Sequence, residues 1–180
     1  ERLSRWVDER PRLMAALQRG RLEEPAAAAG ATGLEGHAIV VGHGRVGSVV
    51  AETLDREGIP YVVVEQDREI FEALRDRGVP AVYGNAARKT VFALTRPERA
   101  RLLVVAMPDP FQTRAVMDFA RLANRAIETI VRAHSADERT YLERHGANRV
   151  VIGEHELALT MARHALGALG PGAPQCAAAS

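Results

Sequence analysis

The residues best suited to chemistry lie in a glycine-rich turn, "GHGRVG", which follows a short apolar run. Gly42 permits a tight turn, Gly44 lets the backbone approach a ligand, and Gly47 lets a helix pack closely on the preceding strand. Free backbone N–H groups at the start of a helix bind phosphate. The spacing therefore predicts a phosphate site, and the alternative is a tight turn without a ligand.

The remaining positions of this turn carry side chains. The N–H groups of Arg45 and Val46 fall in the first turn of the helix, so we expect them to point at the anion, helped by the helix dipole. His43 lies inside the turn, and we expect its imidazole to face solvent. All three residues are candidates for ligand binding.

An acidic side chain at the end of the next apolar run could select the nucleotide. Glu65 ends "IPYVVVE", 18 residues beyond Gly47, where a carboxylate can accept hydrogen bonds from both ribose hydroxyls. The same charge repels a 2′-phosphate, so the sequence favours AMP, NAD(H) or a related adenosine nucleotide over NADP. Glu65 could instead be a helix-capping or surface acid. Asp67 is expected to cap the next helix.

Four further candidates come at or just after later apolar runs. Asn85, in "YGNAA", either contacts the adenine or caps the following helix. Met107 and Gln112 fall near the crevice where the strand order should reverse. Arg132, near the end of "IETIVRAH", either reaches a phosphate or a second ligand or forms a surface ion pair.

The equipment for catalysis is missing from the sequence. A dehydrogenase needs a substrate site and a proton donor beside the nicotinamide, and there is no Tyr-x-x-x-Lys pair. The histidines show no metal-ligand spacing. Basic and acidic residues are interleaved, the net charge is +1 and aromatic residues make up 4%, which disfavours nucleic acid. We therefore expect a binding domain that is not an enzyme, without a metal site and without a nucleic-acid partner.

The elements that position these residues alternate along the chain. Short apolar runs are separated by helical patterns, at about 20 to 25 residues per unit, which indicates βαβ units. Runs that are apolar throughout fit strands buried on both faces. The prediction is an α/β fold: a Rossmann-like, doubly wound parallel sheet of six strands with helices on both faces, plus a C-terminal helix.

The chain divides into four segments by composition. Residues 1–33 form a charged segment and linker, with a short helix expected from Arg12 to Arg19. Residues 34–152 form the α/β domain, 153–169 the C-terminal helix and 170–180 a flexible tail. The lone Cys176 excludes a disulfide within the chain, and no apolar stretch is long enough to span a membrane. Because the chain begins at Glu1 rather than Met, we expect a fragment of a longer protein.

Several of these segments together resemble a known family. "HAIVVGHGRVGSVVAETL", "IPYVVVEQD", "VPAVYGNAA", "IVRAH" and "GANRVVIGEHELALTMARHAL" follow in the order found in the RCK nucleotide-binding domain, also called TrkA-N. The chain is most similar to the cytosolic domain of Kef-type monovalent cation:proton antiporters, over about residues 36 to 168. The arginine in the glycine turn and the Gly-Asn-Ala turn are the most specific features.

The resemblance implies a regulatory module that follows the membrane domain of a potassium/proton antiporter, at the cytoplasmic face of the inner membrane. It implies AMP or NAD(H) as a regulatory ligand, with Glu65 and Gln66 at the ribose and Asn85 and Ala86 near the base. Arg132 would lie at the distal side of the ligand or in a dimer groove. The last helix would cross onto the partner subunit of a homodimer. The alternatives are the cofactor domain of an NAD-dependent oxidoreductase and a peripheral nucleotide-binding subunit of a potassium uptake system.

Overall fold

Six apolar runs of the sequence become the parallel strands of one sheet. The computed structural model describes residues 26–27 and 33–169. The order of strands across the sheet is β1-β4-β3-β2-β5-β6-β7, and every pair is parallel except β1 with β4. The strands are β1 (Ala26–Ala27), β2 (Ala38–Val41), β3 (Tyr61–Glu65), β4 (Ala81–Tyr83), β5 (Leu102–Val105), β6 (Glu128–Ala133) and β7 (Arg149–Ile152).

A helix follows each of the six parallel strands. These helices are α1 (Arg45–Arg56), α2 (Arg68–Asp76), α3 (Lys89–Phe92), α4 (Pro110–Ala123), α5 (Ala136–Arg144) and α6 (Gly153–Leu169). Two short 3-10 turns, Ala93–Thr95 and Pro97–Arg99, complete the connection from α3 to β5. The side chain of Asp67 caps α2, as the sequence predicts, and that of Ser135 caps α5.

The direction of the sheet reverses between β2 and β5. The chain runs outward from β2 through β3 to β4, then returns to the other side of β2 and continues outward again. Val41 at the end of β2 therefore pairs with Val64 on one side and Val105 on the other. In open α/β sheets, ligands bind outside the carboxyl ends of the strands at this reversal. The predicted doubly wound parallel sheet of six strands is confirmed.

Two apolar cores cover the two faces of the sheet. Alternate residues of β2 point to opposite sides, so Ile39 belongs to one core and Val40 to the other. Met117 of α4 packs in the first core and Phe71 of α2 in the second. β2 and β3 are buried along their whole length, which fits their apolar sequence up to Glu65 at the end of β3.

The sheet has one strand that the sequence does not predict. The segment around residues 26–27 reads as a linker, yet β1 pairs antiparallel with β4, Ala26 opposite Tyr83 and Ala27 opposite Val82. Backbone hydrogen bonds form such a pair without any pattern of side chains. The predicted helix at 12–19 and the predicted tail at 170–180 lie outside the described residues.

Helix α6 extends away from the domain after β7. None of its residues is buried, and its large apolar side chains are exposed, among them Leu157 (60%), Met161 (63%) and Leu166 (73%). In the part of the chain that the structure describes, no helix is both long and apolar enough for a membrane span.

Candidate functional site

A cavity of about 470 Å³ opens at the carboxyl ends of the central strands, where the sheet reverses. This volume is in the usual range for small-molecule sites. All but two of the residues predicted from the sequence line it: Gly42, Gly44, Arg45, Val46, Glu65, Gln66, Asn85, Ala86, Met107, Gln112 and Arg132. Gly47 and His43 do not line the cavity. Gly47 packs against the carbonyl of Gly42, and the backbone N–H of His43 donates a hydrogen bond to Glu65.

Two glycines of the turn are required by the fold itself. Gly42 has a φ of +86°, a conformation that other residues rarely adopt. A Cβ on Gly47 would lie 1.8 Å from the carbonyl oxygen of Gly42, which is far inside van der Waals contact. These two positions shape the connection from β2 to α1, whether or not a ligand binds.

Gly44 differs from both. Its φ of −77° is ordinary, and a Cβ placed on it would meet no atom of the described protein within 4 Å. Gly44 is the N-cap of α1, and no side chain caps this helix. The first N–H groups of α1 therefore have no partner within the helix, and Arg45 and Val46 at its start line the cavity beside Gly44.

Glu65 is a buried carboxylate held by backbone N–H groups from two turns. One oxygen accepts from His43 N at 2.6 Å, and the other accepts from Gln66 N at 2.7 Å and Asp67 N at 2.9 Å. Only 7% of Glu65 is exposed. A carboxylate has room for about four acceptor bonds, so roughly one remains for a ligand. The sequence predicts that Glu65 accepts hydrogen bonds from two ribose hydroxyls. In the structure, most of its acceptor capacity is already used by the backbone.

The imidazole of His43 lies partly buried beside the turn, in contrast to the expected exposure to solvent. Burial lowers the pKa of His43, and the charge of Arg77 acts in the same direction. Glu65 and Glu52 oppose this change. His43 thus affects the site through its backbone N–H, which holds Glu65 in place, and its side chain is not part of the cavity wall.

Asn85 and Ala86 form the cavity wall at the end of β4. The Oδ1 atom of Asn85 accepts from Ala87 N at 2.8 Å, an Asx-type turn. The N-cap residue of α3 is Arg88, so Asn85 does not cap that helix. Of the two sequence-based alternatives for Asn85, the cap is wrong, and the Nδ2 group remains a possible donor.

The wall on the other side of β2 is built by the start of α4. Met107 and Gln112 line it as predicted, together with Asp109, which the sequence analysis missed. Asp109 caps α4 by accepting from Phe111 N at 2.8 Å and Gln112 N at 3.1 Å. Its second oxygen accepts from Gln112 Nε2 at 2.9 Å. These bonds lower the pKa of Asp109, and the bond from the Gln112 side chain has the largest effect. The Asp-Pro pair before a helix was the signal for this cap.

Arg132 and His134 complete the wall at the end of β6. The Nε atom of Arg132 is buried and has no hydrogen-bond partner, and no salt bridge of Arg132 occurs among the described residues. The surface ion pair considered from the sequence is therefore not found. His134 was missed, although its position two residues after Arg132 at a strand end places both on one side.

No cluster of three His, Cys, Asp or Glu side chains suited to a metal ion occurs in residues 26–27 and 33–169. The arrangement instead offers free N–H groups at a helix start, a fixed carboxylate and an unpaired guanidinium. These groups can hold a phosphorylated, hydroxyl-bearing ligand.

Comparison with known proteins decides the family. Residues 38–153 match the model of the TrkA-N domain. The chain belongs to the TrkA-N domain family. The resemblance seen in the sequence is confirmed, and the matched range covers the six parallel strands together with the cavity.

Relatives of this TrkA-N domain include membrane transporters. The putative cation/proton antiporter YbaL of Escherichia coli (strain K12) is 45% identical over 125 residues, which are 69% of this chain and 22% of YbaL. The chain thus spans about a fifth of the length of this relative. The crystal structure of the TrkA-N domain of inner membrane protein YbaL from Escherichia coli has a TM-score of 0.70 at 43% identity, covering 73% of this chain and 97% of that one.

More distant structures share the fold. The Shewanella denitrificans Kef CTD in AMP-bound form has a TM-score of 0.65 at 23% identity, covering 76% of this chain and 82% of that one. The GsuK channel bound to NAD has a TM-score of 0.59 at 21% identity, covering 66% of this chain and 21% of that one. At these identities the likeness concerns the fold, and the ligands are those of the two proteins named.

Proposed function

We propose that this TrkA-N domain is a regulatory module that binds an adenosine nucleotide, AMP or NAD(H), and thereby gates a monovalent cation:proton antiporter. The open space over Gly44, beside the uncapped start of α1, is the observation that carries the proposal. Neither backbone conformation nor packing explains a glycine there, so the residue fits close approach of a ligand. A phosphate is the group that helix N–H groups and the helix dipole favour.

The rest of the nucleotide extends from this phosphate toward β3 and β4. Glu65 accepts a hydrogen bond from a ribose hydroxyl with its remaining capacity, and Gln66 lies at the same end of β3. Asn85 and Ala86 lie beside the base. The buried charge of Glu65 repels a 2′-phosphate. AMP and NAD are also the ligands named for two structures of the same fold.

The transporter assignment is supported by the relatives. YbaL is named as a putative cation/proton antiporter, and the matched part is about a fifth of it. We propose that this domain likewise belongs to a longer chain with a membrane domain and works at the cytoplasmic face of the membrane. It is then not an enzyme, because the ligand is sensed rather than consumed.

Helix α6 supplies the proposed link between two copies. Its apolar side chains cover a broad sector, and none of its residues is buried against its own domain. We place this helix across the partner subunit of a homodimer, where the sector loses contact with water. A ligand that binds one dimer arrangement better than another shifts the transporter between states, typically by about 1 to 3 kcal/mol.

Calorimetric titration with AMP, NAD, NADH and NADP tests the proposed ligand class. We expect at least one nucleotide without a 2′-phosphate to bind, and NADP to bind most weakly because of Glu65. If no adenosine nucleotide binds, the function is wrong; if NADP binds most tightly, the ribose assignment is wrong. Conversion of a substrate by the complete parent protein with NADH would favour the oxidoreductase alternative.

A further inference from the structure

A titratable side chain lies inside the glycine turn, where His43 stands between Gly42 and Gly44. Its backbone N–H donates to Oε2 of Glu65 at 2.6 Å, the shortest of the three bonds that this carboxylate accepts from the backbone. The imidazole is half-buried beside the turn and does not line the cavity. Histidine is the side chain whose charge ordinarily changes near neutral pH. A proton can therefore add a positive charge next to the phosphate site without blocking it.

The surroundings of His43 keep its imidazole neutral when no ligand is bound. Burial has the largest effect and lowers the pKa of His43 below the ordinary histidine value of 6.5. Three charged side chains from three elements act on it as well. Glu65 at the end of β3 and Glu52 of α1 favour the protonated form, whereas Arg77 at the end of α2 disfavours it. At pH 7.5 the imidazole of the unliganded domain is thus uncharged.

A phosphate bound over Gly44 would change this balance. The Cα atoms of His43 and Gly44 are about 3.8 Å apart, so the imidazole lies within roughly 12 Å of a phosphate held there. Opposite charges at this distance attract one another, and the phosphate therefore raises the pKa of His43. By linkage, protonated His43 strengthens phosphate binding by the same factor, about three- to tenfold at low ionic strength.

We propose that His43 couples proton binding to nucleotide binding, so that this domain holds its nucleotide more tightly as the pH falls. The inference rests on the proposed function, because the phosphate over Gly44 supplies the second charge. It goes further by making the domain a sensor of pH as well as of nucleotide. The transport that such a domain gates changes the proton concentration, and His43 gives the regulatory site a means of responding to that change.

Calorimetric titration of AMP and NAD at pH 8.0 and 5.5 and low ionic strength tests the coupling in the whole chain and its His43→Gln variant. Glutamine keeps the backbone N–H that Glu65 accepts but cannot become charged. From pH 8.0 to 5.5, wild-type affinity should rise about two- to fivefold more than that of His43→Gln. The phosphate of AMP itself titrates near a pH of about 6, but equally with both proteins. Binding in buffers of different ionisation enthalpy should also show greater proton uptake by the wild type.

Two other histidines supply the controls. His155→Gln removes an exposed histidine of α6 outside the cavity and should keep the full pH response. His134 lines the cavity, so His134→Gln separates any contribution of its own from that of His43. Equal pH responses and equal proton uptake in wild type and His43→Gln would overturn the inference and leave nucleotide binding in place. Failure of every nucleotide to bind the wild type at either pH would reject the proposed function and this inference together.

Discussion

Gly42, Gly44 and Gly47 look equivalent in the sequence but are held to glycine by different constraints. The backbone conformation requires Gly42, and the Gly42 carbonyl excludes any side chain at Gly47. Gly44 has an ordinary φ and open space around it, so neither backbone strain nor packing requires glycine there, and the open space suits close approach of a ligand. The sequence motif identifies all three, but the structure is needed to separate the residue that serves binding from those that serve folding.

His37 is a buried titratable group outside the cavity. Its Nε2 atom bonds the carbonyl oxygen of Thr95 at 2.8 Å, so Nε2 carries the proton, and its buried Nδ1 atom has no partner. Burial lowers the pKa of His37 below the ordinary histidine value of 6.5, although the Thr95 bond and the charge of Glu98 oppose this. The folded state therefore favours a neutral imidazole.

This difference predicts a dependence of stability on pH. Above pH 6.5 His37 is neutral in both states, and its contribution to the free energy of unfolding is fully present. As the pH falls from 6.5 through the lower folded-state pKa, the unfolded chain binds more protons and stability decreases. Denaturant unfolding should thus give a lower free energy at pH 5.5 than at pH 7.5, with a smaller decrease in His37→Gln. An identical decrease in both proteins would exclude His37; His43, whose pKa is also lowered, contributes in the same direction.

Side-chain identities were easier to predict than their bonding. The sequence places a carboxylate at Glu65 but does not reveal its bond from the N–H of His43, which is 22 residues away and meets Glu65 only when β2 and β3 pair. His134 follows Arg132 by two residues, so the alternation along β6 indicates the side it lies on, but its place in the cavity wall depends on how β6 lies beside β5.

The elements with strong periodicity were predictable, and the exception is instructive. β2 and β3, apart from Glu65 at the end of β3, are apolar because both faces of the sheet are covered, and their apolar runs predicted them. β1 is two alanines paired with β4, a contact between distant parts of the chain that has no pattern of its own. α6 was identified as a helix, yet its role depends on a surface that its own domain does not bury.

The exposed sector of α6 predicts an assembly that depends on it. In a homodimer formed through α6, burial of its apolar side chains contributes about 25 cal/mol per Å². The double variant Leu157→Glu/Met161→Glu should place charges in that sector and convert a dimer into monomers, as measured by light scattering after size-exclusion chromatography. Arg163→Glu, on the polar side of the same helix, is the matched control and should remain dimeric. A monomeric wild type, or a dimeric double variant, would contradict this role.

At the scale of the whole molecule, the reversal of the sheet brings the functional groups together. Gly44, Glu65 and Arg132 come from separate units of the chain and converge on one cavity only because β2 lies between β3 and β5. A parallel sheet and its reversal could be predicted from the alternation of elements. The free guanidinium, the occupied carboxylate and the open space over Gly44 required the folded structure.

The central claim is that an adenosine nucleotide binds with its phosphate over Gly44. Calorimetric titration of AMP and NAD into wild-type protein and Gly44→Ala tests it most directly, since the added methyl group occupies the ligand's space and touches no protein atom within 4 Å. We expect wild-type binding and at least a roughly tenfold loss of affinity in Gly44→Ala, with the fold retained and stability lowered by no more than about 1 kcal/mol, because alanine is a poorer N-cap than glycine. Gly33→Ala, also in open space but outside the cavity, should bind as wild type does. Equal affinity in wild type and Gly44→Ala would contradict the account.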